Sequence, residues 1–252
     1  MHFLHQEKAK PAVRQGRKIT GLLRDSRIAL EKVVRFFLLV NLMKQENSAL
    51  QRKYQITALF YDFLDYYWER QYRVFRSQIL NNIYGNVLEA GVGTGRNFCH
   101  YHPKTNLTGI DLSSNMLRIA NRRARKASCK INLIQNDSTQ LEDIPSNYYD
   151  WYVSFFMFCV MPDELQDLAI NQIGRVLKPE GKFLILEMIY SKDEKLLKRQ
   201  KRFKPFVEKV YGARFDRQTL RRFHENEQLK VEKTFFVKAD VYLMIEGMKG
   251  NA

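Results

Sequence analysis

Cysteine is scarce: the 252-residue chain has three, Cys99, Cys129 and Cys159, with no CxxC pair among them. That excludes a zinc ribbon and a disulfide framework, and the odd count suits a reducing compartment. All three are expected to be small core hydrophobes. No apolar run is long either. The most hydrophobic stretch, Val33 to Met43, is broken by Arg35 and Asn41, well short of the roughly 20 apolar residues of a spanning helix. The first 20 residues lack the apolar region of a secretory signal, so the expected location is cytoplasmic; basic and poor in acids, they also leave a transit peptide as a second reading.

Negative charge is in deficit, with 27 Asp/Glu against 42 Lys/Arg and a net charge of +15. The excess is local. Residues 1–53 and residues 191–222 each hold twelve basic and four acidic side chains, and the remainder is close to neutral. Such segments suit an anionic partner, and a solubilising surface is the competing reading.

Aromatics and apolar residues are plentiful, at 13% and 45%, which places the chain among folded proteins. Residues 1–53 read as a basic N-terminal extension whose apolar residues recur at helical spacing from Leu22 to Lys44. A second helical stretch, rich in aromatics, is predicted over 48–82. After Gly85 short apolar runs alternate with helical periods: Val87–Ala90 and a helix, Leu107–Asp111 and a helix, Ile131–Ile134, Trp151–Phe155 and a helix, then Lys182–Met188. That rhythm implies right-handed βαβ units and a parallel sheet. The helix 164–176 should turn Leu165, Leu168, Ile173 and Val176 to the sheet, and Lys178–Gly181 (KPEG) reads as its stop and a turn. Residues 191–224 form a basic helical insertion. The last two runs, 229–237 and 241–248, are too close for a parallel crossover and must pair antiparallel. The expected fold is α/β, a Rossmann-like seven-stranded sheet of five parallel strands plus a C-terminal antiparallel hairpin, with helices on both faces and an N-terminal helical extension. Residues 54–252 are expected to form one domain with this fold.

Only twelve glycines are present, yet three crowd into the run Val87–Gly95 (VLEAGVGTG). Glycines at a strand end let the backbone turn sharply and approach a ligand. The spacing is GxGxG, and Arg96 stands where a dinucleotide fingerprint has its last glycine. Glu89, at the strand end, would repel a pyrophosphate but suits a cationic ligand. Twenty residues beyond Gly91, Asp111 ends the second strand, where a carboxylate can accept both ribose hydroxyls; alone it could equally be a helix cap. Asn136, Asp137 and Ser138 put polar groups at the third strand end, Asp137 being also a turn former. The loop from Ser154 to Asp163 is apolar and aromatic.

The stretch from Tyr54 to Met248 resembles the class I S-adenosylmethionine-dependent methyltransferases. Within them it is similar to the group holding ubiquinone/menaquinone-biosynthesis C-methyltransferases, bacterial phosphatidylethanolamine N-methyltransferases and small-thiol methyltransferases. The resemblance rests on LEAGVGTGRNF (88–98), LTGIDLSSNMLRIA (107–120), FCVMPD (158–163), RVLKPEGKFLILE (175–187) and YGARFDRQT (211–219). It implies S-adenosyl-L-methionine as cofactor, leaving as S-adenosyl-L-homocysteine. The residues expected to hold it are Tyr54, Tyr61, Glu89, Gly91, Gly93, Gly95, Asp111, Leu112, Met116, Asn136, Asp137, Ser138 and Phe155. No catalytic residue is assigned: Tyr61, His100, His102 and His224 are candidates by chemistry alone, and a metal at His100 and His102 is not expected. The GVGTG loop departs from the acidic-Leu-Ala-Gly-Gly type of the quinone enzymes.

The acceptor reading is a small molecule or a lipid, such as a phospholipid amine at an anionic membrane surface, which makes the enzyme peripheral on the membrane. A quinone-precursor or small-thiol acceptor is the alternative. An RNA methyltransferase is the weaker reading, since Ser154–Met157 lacks an Asp/Asn-Pro-Pro-aromatic pattern. A non-catalytic scaffold is weaker again, because the glycine and carboxylate set is intact.

Overall fold

The computed structural model describes residues 74–250 apart from Glu142. The basic extension, most of the helical stretch predicted over 48–82, and Tyr54 and Tyr61 lie outside the described residues. Residues 74–80 are helical and lead into the sheet.

Seven strands follow: β1 (Gly85–Ala90), β2 (Thr105–Asp111), β3 (Lys130–Gln135), β4 (Tyr149–Phe155), β5 (Leu177–Met188), β6 (Leu229–Lys238) and β7 (Tyr242–Lys249). They form one sheet in the order β3-β2-β1-β4-β5-β7-β6. The pairs from β3 to β5 are parallel, and β7 runs antiparallel to both β5 and β6. The central strands must be apolar on both faces because helices cover both. Along β1, Leu88 and Ala90 join one core with Tyr152, Ile170, Ile173, Phe183 and Phe223. Val87 joins the opposite core with Leu107, Val153, Leu184, Phe98 and Tyr101. The two-residue alternation of a strand makes that division.

Four labelled helices pack on this sheet. α1 (Ser114–Ala124) starts where the Ser113 side chain accepts from the Met116 amide, so Ser113 is its cap and Asp111 is left for other work. α2 (Asp163–Val176) buries Gln166, Ala169, Ile170, Ile173 and Val176. Leu168, expected on that face, is 50% exposed, and Leu165 lies at the edge of a cavity; the buried stripe is turned by one residue, onto Ala169 and Ile170. α3 (Glu194–Tyr211) is capped by Asp193 and stops at Gly212, whose φ of 70° is the left-handed conformation of a helix terminus. α4 (Thr219–Glu225) follows.

Three other expectations need correction. No α-helix follows β1: positive φ at Gly91, Gly93 and Gly95 uses up the start of the segment, and Pro103 closes it. Only the short 3-10 turn Phe98–His100 fits between. The KPEG turn signal lies within β5, whose register against β4 jumps from Leu177 to Lys182 while β4 advances from Tyr149 to Trp151. The extra residues bulge out with Glu180 at φ 60°. Cys99 is exposed, and only Cys129 and Cys159 are buried.

Candidate functional site

Between β1 and β4 the strand order reverses direction, which opens a crevice at the carboxyl ends of the strands. A cavity of about 710 Å³ occupies it. Ten of the residues expected at a cofactor line this one space: Glu89, Gly91, Gly93, Asp111, Leu112, Met116, Asn136, Asp137, Ser138 and Phe155. They come from the ends of four strands and the segments that follow them, Met116 from the first turn of α1, and parallel pairing of those strands brings them together.

The glycine loop is tied down at its start. The amides of Gly91 and Val92 donate to the Ile110 carbonyl at 2.9 and 3.1 Å, stitching the loop to β2. A Cβ on Gly93 would meet nothing within 4 Å, so this residue faces the open cavity. Gly95 differs. A Cβ there would sit 2.5 Å from the Phe98 ring, and Gly95 does not line the cavity. Its role is close packing of the loop on the buried Phe98.

Two carboxylates face the cavity, Glu89 buried and Asp111 half-buried. Glu89, 2% exposed, accepts from Asn97 Nδ2 at 2.7 Å and from the Tyr101 hydroxyl at 3.0 Å. Arg76 Nη1 in turn donates to Asn97 Oδ1 at 2.9 Å. Burial pushes the Glu89 carboxyl up to about 7, against the lowering effect of those hydrogen bonds and of Arg76. Asp111 accepts from the Gly93 amide at 2.8 Å and from the Ser113 amide at 2.9 Å. Burial raises its pKa as well, opposed by the two amides. Each carboxylate oxygen has room for a second donor.

Asp137 serves the turn that the sequence also allowed: one oxygen accepts from both the amide and the hydroxyl of Thr139, at 2.9 and 2.8 Å. Met116 is buried in the wall, while Leu112, 41% exposed, sits at the rim.

The rest of the cavity lining has a different chemistry. Phe203, Phe206, Val207 and Tyr211 of α3 line an aromatic chamber with Phe215 and Tyr242, and Phe155, Phe156 and Met157, from the end of β4 and the loop after it, line the same cavity. Phe156 takes a φ of 62° and packs edge-on against Tyr242. The buried Gln200 is spent on structure, its amide bridging Ser191 and Ile189.

The histidine candidates do not reach this space. His100 bonds the Ser77 hydroxyl through Nδ1 at 2.7 Å, and His102 Nδ1 accepts from the Lys104 amide at 3.0 Å. His224 borders a separate, shallower cavity with Glu187 and Arg217. Sequence reasoning missed the partners of Glu89, namely Asn97, Tyr101 and Arg76, because each is separated from it by a turn or an element. It also missed Glu187, a buried carboxylate that follows the apolar run Phe183–Leu186 of β5.

The comparisons with known proteins agree with this geometry. Residues 87–181 match the family model described as a methyltransferase domain. The chain is 30% identical over 143 residues to phosphatidylethanolamine N-methyltransferase of Cereibacter sphaeroides, covering 56% of this chain and 68% of that protein. It is 29% identical over 130 residues to the mitochondrial methyltransferase OMS1 of Saccharomyces cerevisiae, covering 44% of this chain but only 27% of the yeast protein. The fold matches geranyl diphosphate C-methyltransferase from Streptomyces coelicolor A3(2) with a TM-score of 0.57 at 12% identity, over 72% of this chain and 80% of that one. The chain belongs to the class I S-adenosylmethionine-dependent methyltransferases, and S-adenosylmethionine is their methyl donor.

Proposed function

We propose that the carboxylate end of the cavity holds S-adenosylmethionine and that the aromatic chamber under α3 holds the acceptor, an apolar molecule of the lipid class. One observation carries this reading: a single cavity is lined both by two carboxylates beside open glycine backbone and by a group of aromatic side chains. A cation buried beside Glu89 replaces the water that the carboxylate has lost, and the space over Gly93 is what a ligand running along the loop requires. Asp111 and the polar run Asn136–Ser138 suit the hydroxyls and base of a nucleoside. Tyr54 and Tyr61 belong to the same proposal as aromatic covers of the cofactor, on the strength of the family resemblance.

The bound sulfonium supplies an activated methyl group, so the protein need only orient the acceptor and exclude water. Phe155, Phe156 and Met157 supply apolar surface to the same cavity. Glu89 would hold the ammonium group of the cofactor's methionine part, leaving the sulfonium methyl free to meet the acceptor. An acceptor that arrives as a neutral amine or a thiolate needs no further base here, the positive charge of the sulfonium passing to the amine or being neutralised by the thiolate. The relative named as a phosphatidylethanolamine N-methyltransferase favours a phospholipid amine, with the enzyme working peripherally at an anionic membrane surface. A quinone precursor would suit the same aromatic walls.

The test is methyl transfer from labelled S-adenosylmethionine to a total lipid extract, alongside calorimetry with S-adenosylhomocysteine. Label in an amine-bearing phospholipid supports the proposal, and label in a quinone fraction reassigns the acceptor. Absence of S-adenosylhomocysteine binding would overturn the cofactor assignment itself.

A further inference from the structure

α3 carries seven Lys/Arg against two Glu. At 100° per residue, Lys195, Lys198, Arg202, Pro205 and Lys209 fall within an arc of about 80° on the helix, and all five are exposed. Little neutralises this stripe. Lys198 reaches Glu194 only at 4.0 Å between side chains 81% and 87% exposed, while the acids Glu208 and Asp216 are occupied by Lys204 and Arg214. Among the described residues Lys195, Arg202 and Lys209 make no ion pair. The next face of the helix, through Arg199 and Phe203, turns into the acceptor chamber. Phe203 is 48% exposed and lines the cavity at the same time, so the cavity reaches solvent beside the basic stripe.

We infer that the outer face of α3 is the docking surface for an anionic lipid bilayer, with Phe203 as its apolar contact and the chamber mouth held against the membrane. Charge complementarity names the partner. A row of unneutralised cations on one helix face is attracted to an anionic leaflet within a Debye length. An exposed aromatic beside such a row enters the headgroup boundary. A purely solubilising surface would not need the aromatic or its place at the mouth. The consequence is a route for an amphiphilic acceptor from the leaflet past Phe203 into the chamber. What the surface delivers rests on the reading proposed above, but the docking itself does not.

The experiment uses the full chain with two vesicle preparations, phosphatidylcholine alone and phosphatidylcholine mixed with phosphatidylglycerol. Flotation measures partitioning of the parent and of a variant with Lys198→Glu, Arg202→Glu and Lys209→Glu. A second variant, Phe203→Trp, reads quenching by bromine-labelled acyl chains against the parent, whose own tryptophans set the background. Expected are binding to the anionic vesicles only, partitioning at least about tenfold weaker in the charge-reversed variant, and added quenching in Phe203→Trp. Calorimetry with S-adenosylhomocysteine on the charge-reversed variant separates this inference from the cofactor reading, since those three residues lie outside the cavity. Equal partitioning of parent and charge-reversed variant would locate any binding in the other basic segment and overturn the inference, as would no added quenching. Binding of single-stranded RNA without vesicle binding would overturn it in favour of a nucleic acid.

Discussion

The Gly93 amide donates to Asp111 Oδ2 at 2.8 Å, joining the glycine loop after β1 to the end of β2 across the mouth of the crevice. The same carboxylate therefore shapes the loop and faces the ligand. Asp111→Ala should remove both contributions and weaken S-adenosylhomocysteine binding by about 1–3 kcal/mol, roughly five- to 150-fold. Asp111→Asn retains an acceptor for the Gly93 amide and should fall between parent and Asp111→Ala. Calorimetry of the three proteins checks the order, and equal affinities would detach Asp111 from the cofactor.

Two glycines of one loop should fail in different ways. At Gly93 an added methyl meets no protein atom, and the cost is a φ of 53° on an L-residue, about 1–2 kcal/mol of stability. Gly93→Ala should fold and lose cofactor affinity, because the methyl occupies ligand space. At Gly95 the φ is 78° and the methyl would lie 2.5 Å from Phe98, which is itself fully buried. Gly95→Ala should destabilise by about 2–4 kcal/mol. Denaturant unfolding of the pair measures the contrast, and equal stabilities would remove the packing role given to Gly95.

The sheet was legible because strand alternation and glycine punctuation survive in the sequence without help from distant residues. The hairpin β6–β7 follows from a connection too short to cross over. The site was legible to the extent that its members sit at strand ends, where parallel pairing brings Glu89, Asp111 and Asn136 together. What escaped depends on contacts the chain makes only after folding. Nothing near Glu89 announces Tyr101 as its donor, since a 3-10 turn rather than a helix sets that approach. The face of α2 was misjudged because Leu168 has the right spacing, while the tight space against the sheet selects Ala169. Gly95 has the same spacing signal as Gly93, and only the position of the Phe98 ring separates their roles.

Glu89 should make cofactor binding depend on pH. Its carboxyl titrates at about 7 because it is buried, and only its ionised form attracts a cation. S-adenosylhomocysteine affinity should therefore hold above pH 7 and fall by about tenfold per pH unit below it, until the pH reaches the lower pKa that Glu89 has in the complex. Glu89→Gln should bind weakly with no such slope. Calorimetry from pH 5.5 to 8.5 tests this, and parallel profiles for parent and Glu89→Gln would show that another group titrates.

Glu187 should act on stability rather than on cofactor binding. Its Oε1 accepts from the Phe158 amide at 3.1 Å, anchoring from behind the loop that carries Phe156 and Met157 into the cavity. Its Oε2 has no partner. Burial pushes the carboxyl from 4.5 up to about 8, against the Phe158 and Cys159 amides and the nearby Arg217. A carboxyl raised in the folded state binds its proton more tightly there than in the unfolded chain. Its contribution is fully present below the unfolded value near 4.5 and is lost as pH rises through about 8. Glu187→Gln keeps an acceptor for Phe158 and cannot ionise. Between pH 5 and 9 the parent should therefore lose a few kcal/mol relative to this variant, with the steepest relative loss below pH 8. Glu89 titrates in both proteins and cancels from the difference. Urea unfolding across that range measures it, and a constant difference would mean that Glu187 stays ionised in the folded protein across that range instead of being a neutral acid.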